Sequence, residues 1–409
     1  MVAGGPYGLE ELISGAGYRR AIIVLIVTPV VWSLPVALMV GELAAALPEE
    51  GGYYAWVRRA MGPSWAFQEA WLSLAASIFD MALYPTIFTL YLARLWPTAG
   101  EGMAPIAVGA AMMGVCAASN IAGSRYVGEA SAAMTLILLA PFAIMAALAF
   151  ARPTQPAIVA WSGEGSGGML GAAFVALWNQ MGWDNASTIA GEVERPQRVY
   201  PLTMGIAVAL VTLTYLVPVM VAARTGTDPS VWQTGAWVEL GRILGGHWLG
   251  WAVVAGGMVC GLGMFDALLM SYSRLPVALA QDGYLPRALA RRHARSGAPW
   301  VAIVVCCLVY ASCLGLGFQR LVALDVLLYG LSLILEFIAL ILLRIREPTL
   351  PRPFRVPGGL AGAVAVAAMP TALIAIALVR AAGTPAFAIG AALVALGPAL
   401  YVLRRTRRS

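Results

Sequence analysis

Apolar residues run along this chain in long blocks separated by short stretches of charge and turn residues. Uncharged stretches from Ala21 to Val40, Ala130 to Ala151, Val199 to Ala223, Trp300 to Gln319 and Ala381 to Leu403 each match the roughly 20 residues that a helix needs to cross a bilayer. Their repetition rules out a signal peptide or a lone anchor. Turn residues and loop charges divide the chain into an incomplete first span at 4–14 and eleven fuller ones at 20–46, 65–95, 104–120, 125–151, 167–191, 200–223, 247–280, 299–318, 325–345, 358–380 and 384–403. The pattern predicts an all-α integral membrane bundle of about 12 spans, the first incomplete. The polar connections at 47–63, 224–246 and 281–298 are expected to be loops or short amphipathic helices. Residues 1–403 therefore read as one transmembrane domain, with 404–409 as a basic tail.

Two of the apolar blocks are interrupted. Gly4-Gly5-Pro6-Tyr7-Gly8 combines glycines with a proline that has no backbone donor, which makes a regular helix costly. Trp178-Asn179-Gln180-Met181-Gly182-Trp183-Asp184-Asn185 sets polar residues where the middle of a membrane is expected. Unwound backbone persists at that depth only where it lines a cavity, so paired breaks point to a transporter's binding site. They fall in spans 1 and 6, the spacing expected of five spans followed by five of inverted topology. The repeats would cover about 1–151 and 167–345, with two further spans at 358–403.

Composition agrees with lipid as the solvent: 60% of residues are hydrophobic and 11% charged. The net charge of +6 shows no basic face with interleaved aromatics, so no nucleic-acid partner is expected. All 26 basic residues are Arg, and alternation puts 18 on the side of Arg58 and Arg59 and 8 on the other. The positive-inside rule then makes the Arg-rich side cytoplasmic, with the C-terminus inside and a cell (inner) membrane as the location. Five Cys within apolar runs and two His, His247 and His293, offer no ligand spacing, so no metal or cofactor is expected. No nucleophile–base pair suggests an enzyme.

Charged residues inside spans are expensive and usually mark a pathway. The deep ones here are acidic: Asp80, Glu129, Asp184, Asp266 and Glu336. Asp266 and Glu129 stand nearer span ends, where solvation or a loop Arg also explains them. Asp184 is equally suited to cap the helix that follows it, and a structural hydrogen bond to an interrupted helix is the plain alternative for Asp80 and Glu336. A cavity with excess negative charge suits a small cationic or zwitterionic solute, or a proton.

Several segments resemble the amino acid–polyamine–organocation superfamily, and within it the polyamine uptake transporters of plants and protozoa. They are Gly4 to Gly8; Gly41-Glu42-Leu43 leading to Pro48-Glu49-Glu50-Gly51-Gly52-Tyr53; Phe67-Gln68-Glu69 with Asp80-Met81-Ala82-Leu83-Tyr84-Pro85; Trp178-Asn179 with Trp183-Asp184-Asn185; Ala190-Gly191-Glu192-Val193-Glu194-Arg195-Pro196; and Leu328-Tyr329-Gly330 through Leu335-Glu336-Phe337 to Arg352-Pro353-Phe354-Arg355-Val356-Pro357. The resemblance implies a LeuT-like inverted-repeat fold. It also implies a site between broken spans 1 and 6, closed by spans 3, 8 and 10, and proton-coupled uptake. The site expected on this basis comprises Gly4, Gly5, Tyr7, Gly8, Asp80, Tyr84, Trp178, Asn179, Asp184, Tyr329 and Glu336.

Amino-acid carriers of the superfamily resemble Gly-Ser-Gly at the span 1 break, whose N–H groups hold the substrate carboxylate. Gly4-Gly5-Pro6 is a poorer nest for an anion, which favours an amine without a carboxylate, such as putrescine or spermidine. An amino acid permease or exchanger is the alternative. Met134 or Thr135 stands where many such relatives carry a coupling Lys in span 5, and Glu129, one to two turns earlier, is the candidate proton carrier. Met1 directly precedes the span 1 break, so the native chain is expected to begin upstream, the alternative being a truncated product with a leaky or inactive pathway.

Overall fold

The computed structural model describes residues 4–49, 51–151 and 168–405, without the side chains of 124–131, 192, 404 and 405. It is all-helical, with no strand among the described residues. In chain order the α-helices are α1 (Glu10–Thr28), α2 (Leu34–Ala46), α3 (Tyr53–Met61), α4 (Pro63–Leu92), α5 (Ala104–Ala122), α6 (Ser124–Ala151), α7 (Met169–Trp178), α8 (Pro196–Arg224), α9 (Trp237–Gly245), α10 (His247–Tyr272), α11 (Arg274–Gln281), α12 (Trp300–Ala311), α13 (Phe318–Arg346), α14 (Gly359–Ala381) and α15 (Pro385–Arg405).

Nine helical runs among the described residues are long and apolar enough to span a bilayer, and α7 and α12 are shorter apolar helices. They reproduce the expected pattern once α1 is divided. Gly17 has non-helical backbone angles, so the segment up to residue 16 is the incomplete first span. The rest of α1 continues through a π-turn at Pro29–Ser33 into α2 as the second. Span 6 is broken as its polar residues predicted: α7 stops at Trp178, and the chain resumes as a 3-10 helix at Asp184–Glu192.

Burial sorts the helices into an inner and an outer set. Most of α4 and α13 is buried, whereas α15 is largely exposed. Leu202, Ile206, Leu210 and Leu213 form an exposed apolar stripe on α8, and Ile376 and Val379 extend such a surface on α14. A surface of this kind is at rest only in lipid. The chain is therefore a multi-pass membrane protein.

The helices α4 and α13 pack against each other, antiparallel: Arg346, at the end of α13, donates to the carbonyl of Ala60 just before α4 (2.7 Å). The amphipathic helix α3 closes this end of the bundle, with Tyr53, Trp56 and Val57 buried and Arg58 and Arg59 outward. Arg58 pairs with Asp282 (2.7 Å). Arg59 grips Glu347 with two hydrogen bonds (2.9 and 2.7 Å) and holds its carboxyl below the usual carboxylate range, so this pair persists into mildly acid pH. Gly52 reaches its place because a side chain there would collide with Ser187 of the 3-10 helix and because its φ is +42°.

The deepest contact at this end joins two motifs that the sequence keeps 314 residues apart. Glu42 of α2 is wholly buried. It accepts from Arg344, pairs with Arg352 at 3.3 Å and accepts the Val356 N–H at 2.7 Å. Phe354 lies against Gly41, 3.5 Å from where a side chain would start. Removing one partner of such a buried pair leaves charge uncompensated. Glu42→Gln is expected to destabilise the fold by about 3–5 kcal/mol, whereas Glu347→Gln, at a half-exposed pair, is expected to change it by about 1 kcal/mol or less. Melting curves of the purified variants in detergent compare the two, and equal shifts would refute the assignment.

Candidate functional site

Between α4, α10, α13 and the span 6 break lies a closed cavity of about 30 Å³, room for about two waters. Its wall includes Asp80 and Tyr84 from α4, Trp178, Gly182 and Asn185 from the break, Tyr272 from α10, and Asp325 and Tyr329 from α13, with Met181, Met264 and Leu268 completing it. Asp80 and Tyr84 are four residues apart on one helix, as are Asp325 and Tyr329, so each pair projects from a single face.

The two wall carboxylates differ in their surroundings. Asp80 accepts from three donors: Tyr84 Oη (3.0 Å), Trp178 Nε1 (3.1 Å) and Tyr272 Oη (3.0 Å). Asn185 in turn donates to Tyr272 Oη (3.0 Å), which ties the span 6 break to α10. Asp325 is 2% exposed, and among the described residues no hydrogen bond or ion pair holds it. The break is fixed from the other side by Tyr329, which donates to Asp184 and accepts the Gly182 N–H at 3.1 Å.

A second, open depression of about 800 Å³ lies at the end of the bundle away from Arg58 and Arg59, lined by Glu11, Arg94, Phe318, Gln319 and Arg320 among others. Phe318 meets Trp178 edge-on, ring centres 5.5 Å apart, so an aromatic layer separates the depression from the closed cavity. Gly8 permits this arrangement: its φ is +96°, and a side chain there would stand 3.0 Å from the Trp178 ring.

Of the residues expected at the site, the cavity brings together Asp80, Tyr84, Trp178 and Tyr329, with Asp184 bonded to Tyr329. Gly8 packs behind Trp178, and Gly4 borders Cys260 and Met264. Gly5 faces Leu138 and Leu139. Tyr7 does not line the cavity: its hydroxyl donates to the carbonyls of Leu138 and Val253 (both 3.3 Å), and its ring packs on Tyr91 and Phe142. Asn179 also turns away, its side-chain amide donating to Val175 O (2.9 Å) one turn back on α7, while its backbone carbonyl accepts from Tyr215 (2.8 Å). Glu336 lies outside the cavity wall and faces Asp184. The Glu129 side chain lies outside the described residues. Asp266 is held by Asn120 (2.8 Å) and Ser119 (3.4 Å) of α5 rather than by a loop Arg.

Sequence reasoning missed Asp325, Tyr272 and Asn185 as wall residues. The signal for Asp325 was its place one turn before Tyr329. Its span was expected to start at 325, which made it an end residue, whereas α13 starts at Phe318 and carries Asp325 two turns inside. Glu10 was missed as well: wholly buried after the span 1 break, it accepts the N–H groups of Gly8 (2.7 Å) and Gly235 (2.9 Å) and the hydroxyl of Tyr91.

Comparison with known proteins places the chain in a family. The amino acid permease family model matches residues 1–397. The polyamine transporter RMV1 of Arabidopsis thaliana is 35% identical over 380 residues, covering 91% of this chain and 76% of its own. The polyamine transporter PUT1 of Oryza sativa subsp. japonica is 37% identical over 382 residues, covering 92% and 71%. An uncharacterized transporter of Mycobacterium tuberculosis is 30% identical over 277 residues, covering 66% and 60%. With this match across its length, a LeuT-like multi-span fold and no enzymatic constellation required of it, the chain belongs to the amino acid permease family of membrane transporters.

Proposed function

We propose that the protein imports polyamines by proton symport, through alternating exposure of the closed cavity to the two sides of the cell membrane. The observation that carries this reading is the cavity wall, which holds two carboxylates, Asp80 and Asp325, four aromatic side chains and no cationic one. Ammonium groups suit the carboxylates, and methylenes suit the faces of Tyr84, Trp178, Tyr272 and Tyr329, which add cation–π attraction. A carboxylate-bearing substrate finds fewer donors: Pro6 has none and the Gly8 N–H is taken by Glu10. Relatives named as polyamine transporters support the same choice.

The two carboxylates have distinct parts. A carboxylate has about four acceptor positions, of which Asp80 has committed three to Trp178 and two tyrosines. Asp325 has committed none among the described residues, so it takes the first ammonium. Neutralising the pair removes the repulsion between buried like charges and favours the closed form. The cavity must expand to admit a diamine, and displacement of Phe318 and Trp178 opens it to the depression. The Arg-rich face, closed by α3 and the Glu42 contact, is the cytoplasmic side, with the C-terminus inside.

Two outcomes test this reading. In proteoliposomes containing the full-length protein, Asp80→Asn and Asp325→Asn are expected to raise the half-saturating concentration for labelled putrescine by about 30-fold or more. Asp325→Asn is also expected to abolish the preference for a diamine over the monoamine of equal length, and an unchanged preference would contradict the role given to Asp325. For orientation, an impermeant thiol reagent is expected to label a cysteine introduced at exposed Gln319 on intact cells. One at exposed Arg287 should react only after permeabilisation, and the reverse order would invert the assignment.

A further inference from the structure

Below the cavity, towards the Arg-rich face, α4 and α13 carry a second tier of acids. Eleven residues separate Glu69 from Asp80 on α4 and Asp325 from Glu336 on α13, about three turns or 16 Å along each helix. Because the helices are antiparallel, Asp80 comes level with Asp325, and Glu69 with Glu336. Glu69 and Glu336 are both wholly buried. Glu69 accepts from Ser73 through one oxygen (2.7 Å) and has no partner for the other. Neither oxygen of Glu336 has a donor from the protein's ordinary hydrogen-bonding groups. The carboxyl groups that act on it most are those of Asp184 and, beyond it, Glu69. Tyr53 of α3 is buried within the field of the same three acids, its hydroxyl beside Ser73, which donates to Glu69.

A contact between two carboxyl groups is a hydrogen bond only when one of them carries a proton. Three acids in a low-dielectric interior, with no cation paired to them among the described residues, form a place where a proton can be held. Among the described residues no ion pair joins these acids to a cation, and Arg274 at the head of α11, which packs on α4, donates to Met270 O and Ser273. Tyr53 faces the tier from α3, Tyr329 from α13 and Asp184 from the break. Tyr272, Asp80 and Asp325 lie in the tier above. Glu42 of α2 is already held by Arg344 and Arg352. Helix α7 has no titratable residue, α14 has none before Arg380, and α15 has none before Tyr401. Among the described residues no group of His, Cys, Asp or Glu is arranged to hold a metal ion.

We propose that Glu336 and Glu69, bridged by Asp184, are the carrier site of the coupled proton, one tier below the amine cavity and distinct from it. This rests on the transport reading above and names the residues that couple it. Asp184 joins the tiers: Tyr329 bonds it directly and stands one turn from Asp325 on the same helix face. An ammonium arriving at Asp325 and Asp80 changes the field at Asp184 and thereby the hold on the proton that it shares with Glu336. The proton moves as H⁺ between carboxyl oxygens and leaves to water on the Arg-rich side when that face opens.

The test uses the full-length protein in proteoliposomes with the membrane potential clamped, following labelled putrescine and, in parallel, labelled arginine. Counterflow at equal pH measures solute binding and movement. Accumulation under an imposed gradient of about one pH unit, worth up to about tenfold per coupled proton, measures coupling. Glu336→Gln and Glu69→Gln are expected to accumulate no more solute with the gradient than without it while still exchanging, and Glu336→Asp to recover part of the response. Gradient-driven accumulation at the native level in both Gln variants would overturn the proposal, as would loss of exchange in step with loss of accumulation in well-folded variants. If the Gln variants do not fold, the native protein decides: adding solute to it in weakly buffered detergent, with a pH-indicator dye, must move protons, and no movement would overturn the proposal. Exchange of an amino acid rather than a diamine would fail the substrate reading alone and leave the coupling result standing.

Discussion

An acid removed from water without a cation beside it must either hold a proton or await a cation, and five such acids line one column of this bundle. Asp80 and Glu69 on α4, Asp184 in the span 6 break, and Asp325 and Glu336 on α13 are all at most 6% exposed. The remedy used elsewhere in the chain is absent here. Glu42, equally buried, is flanked by Arg344 and Arg352 and closes one end of the fold. Separating a neutralised acid that holds the structure from uncompensated acids along its axis is what a carrier of cations requires, since the missing charge must arrive with the cargo.

The helical framework is adapted to that column. α4 and α13 are long and mostly buried, whereas the span between them in the site is cut into α7 and a 3-10 helix, so that Gly182 and Asn185 reach the cavity and Asp184 reaches Tyr329 in its wall. Tyrosines and a tryptophan serve as uncharged donors: Tyr84, Tyr272 and Trp178 hold Asp80, and Tyr329 holds Asp184. Such donors orient a carboxylate without cancelling its charge, which leaves it able to attract an ammonium group. The cavity is closed on one side by the Trp178–Phe318 contact and on the other by α3, its Arg–acid pairs and the Glu42 contact.

Much of this was legible in the sequence, because apolar runs and their interruptions carry the strongest local signal. The breaks at Gly4–Gly8 and at Trp178–Asn185, the depth of Asp80 and the division of the helices all follow from that pattern. The Gly41-Glu42-Leu43 and Arg352–Pro357 motifs were visible separately, but not that they meet. What was hidden depends on helix phase and start. Asp325 looked like a span end because a seven-residue error in the start of α13 placed it at the boundary. Tyr7 and Asn179 belong to the breaks by position, yet the Tyr7 side chain turns towards α6 and α10 and that of Asn179 back onto α7, which no local pattern reports. Glu69 was quoted for its motif and not for its depth, because Pro63 begins α4 just before it, and only the packing of α3 above it makes it buried.

The central claim is that uncompensated acids select an amine without a carboxylate. Equilibrium binding of labelled spermidine to the purified full-length protein, competed in turn by putrescine, arginine and neutral amino acids, tests it most directly. Putrescine is expected to displace spermidine at concentrations well below those at which any amino acid does. Displacement by a free amino acid at a lower concentration than by putrescine would contradict it.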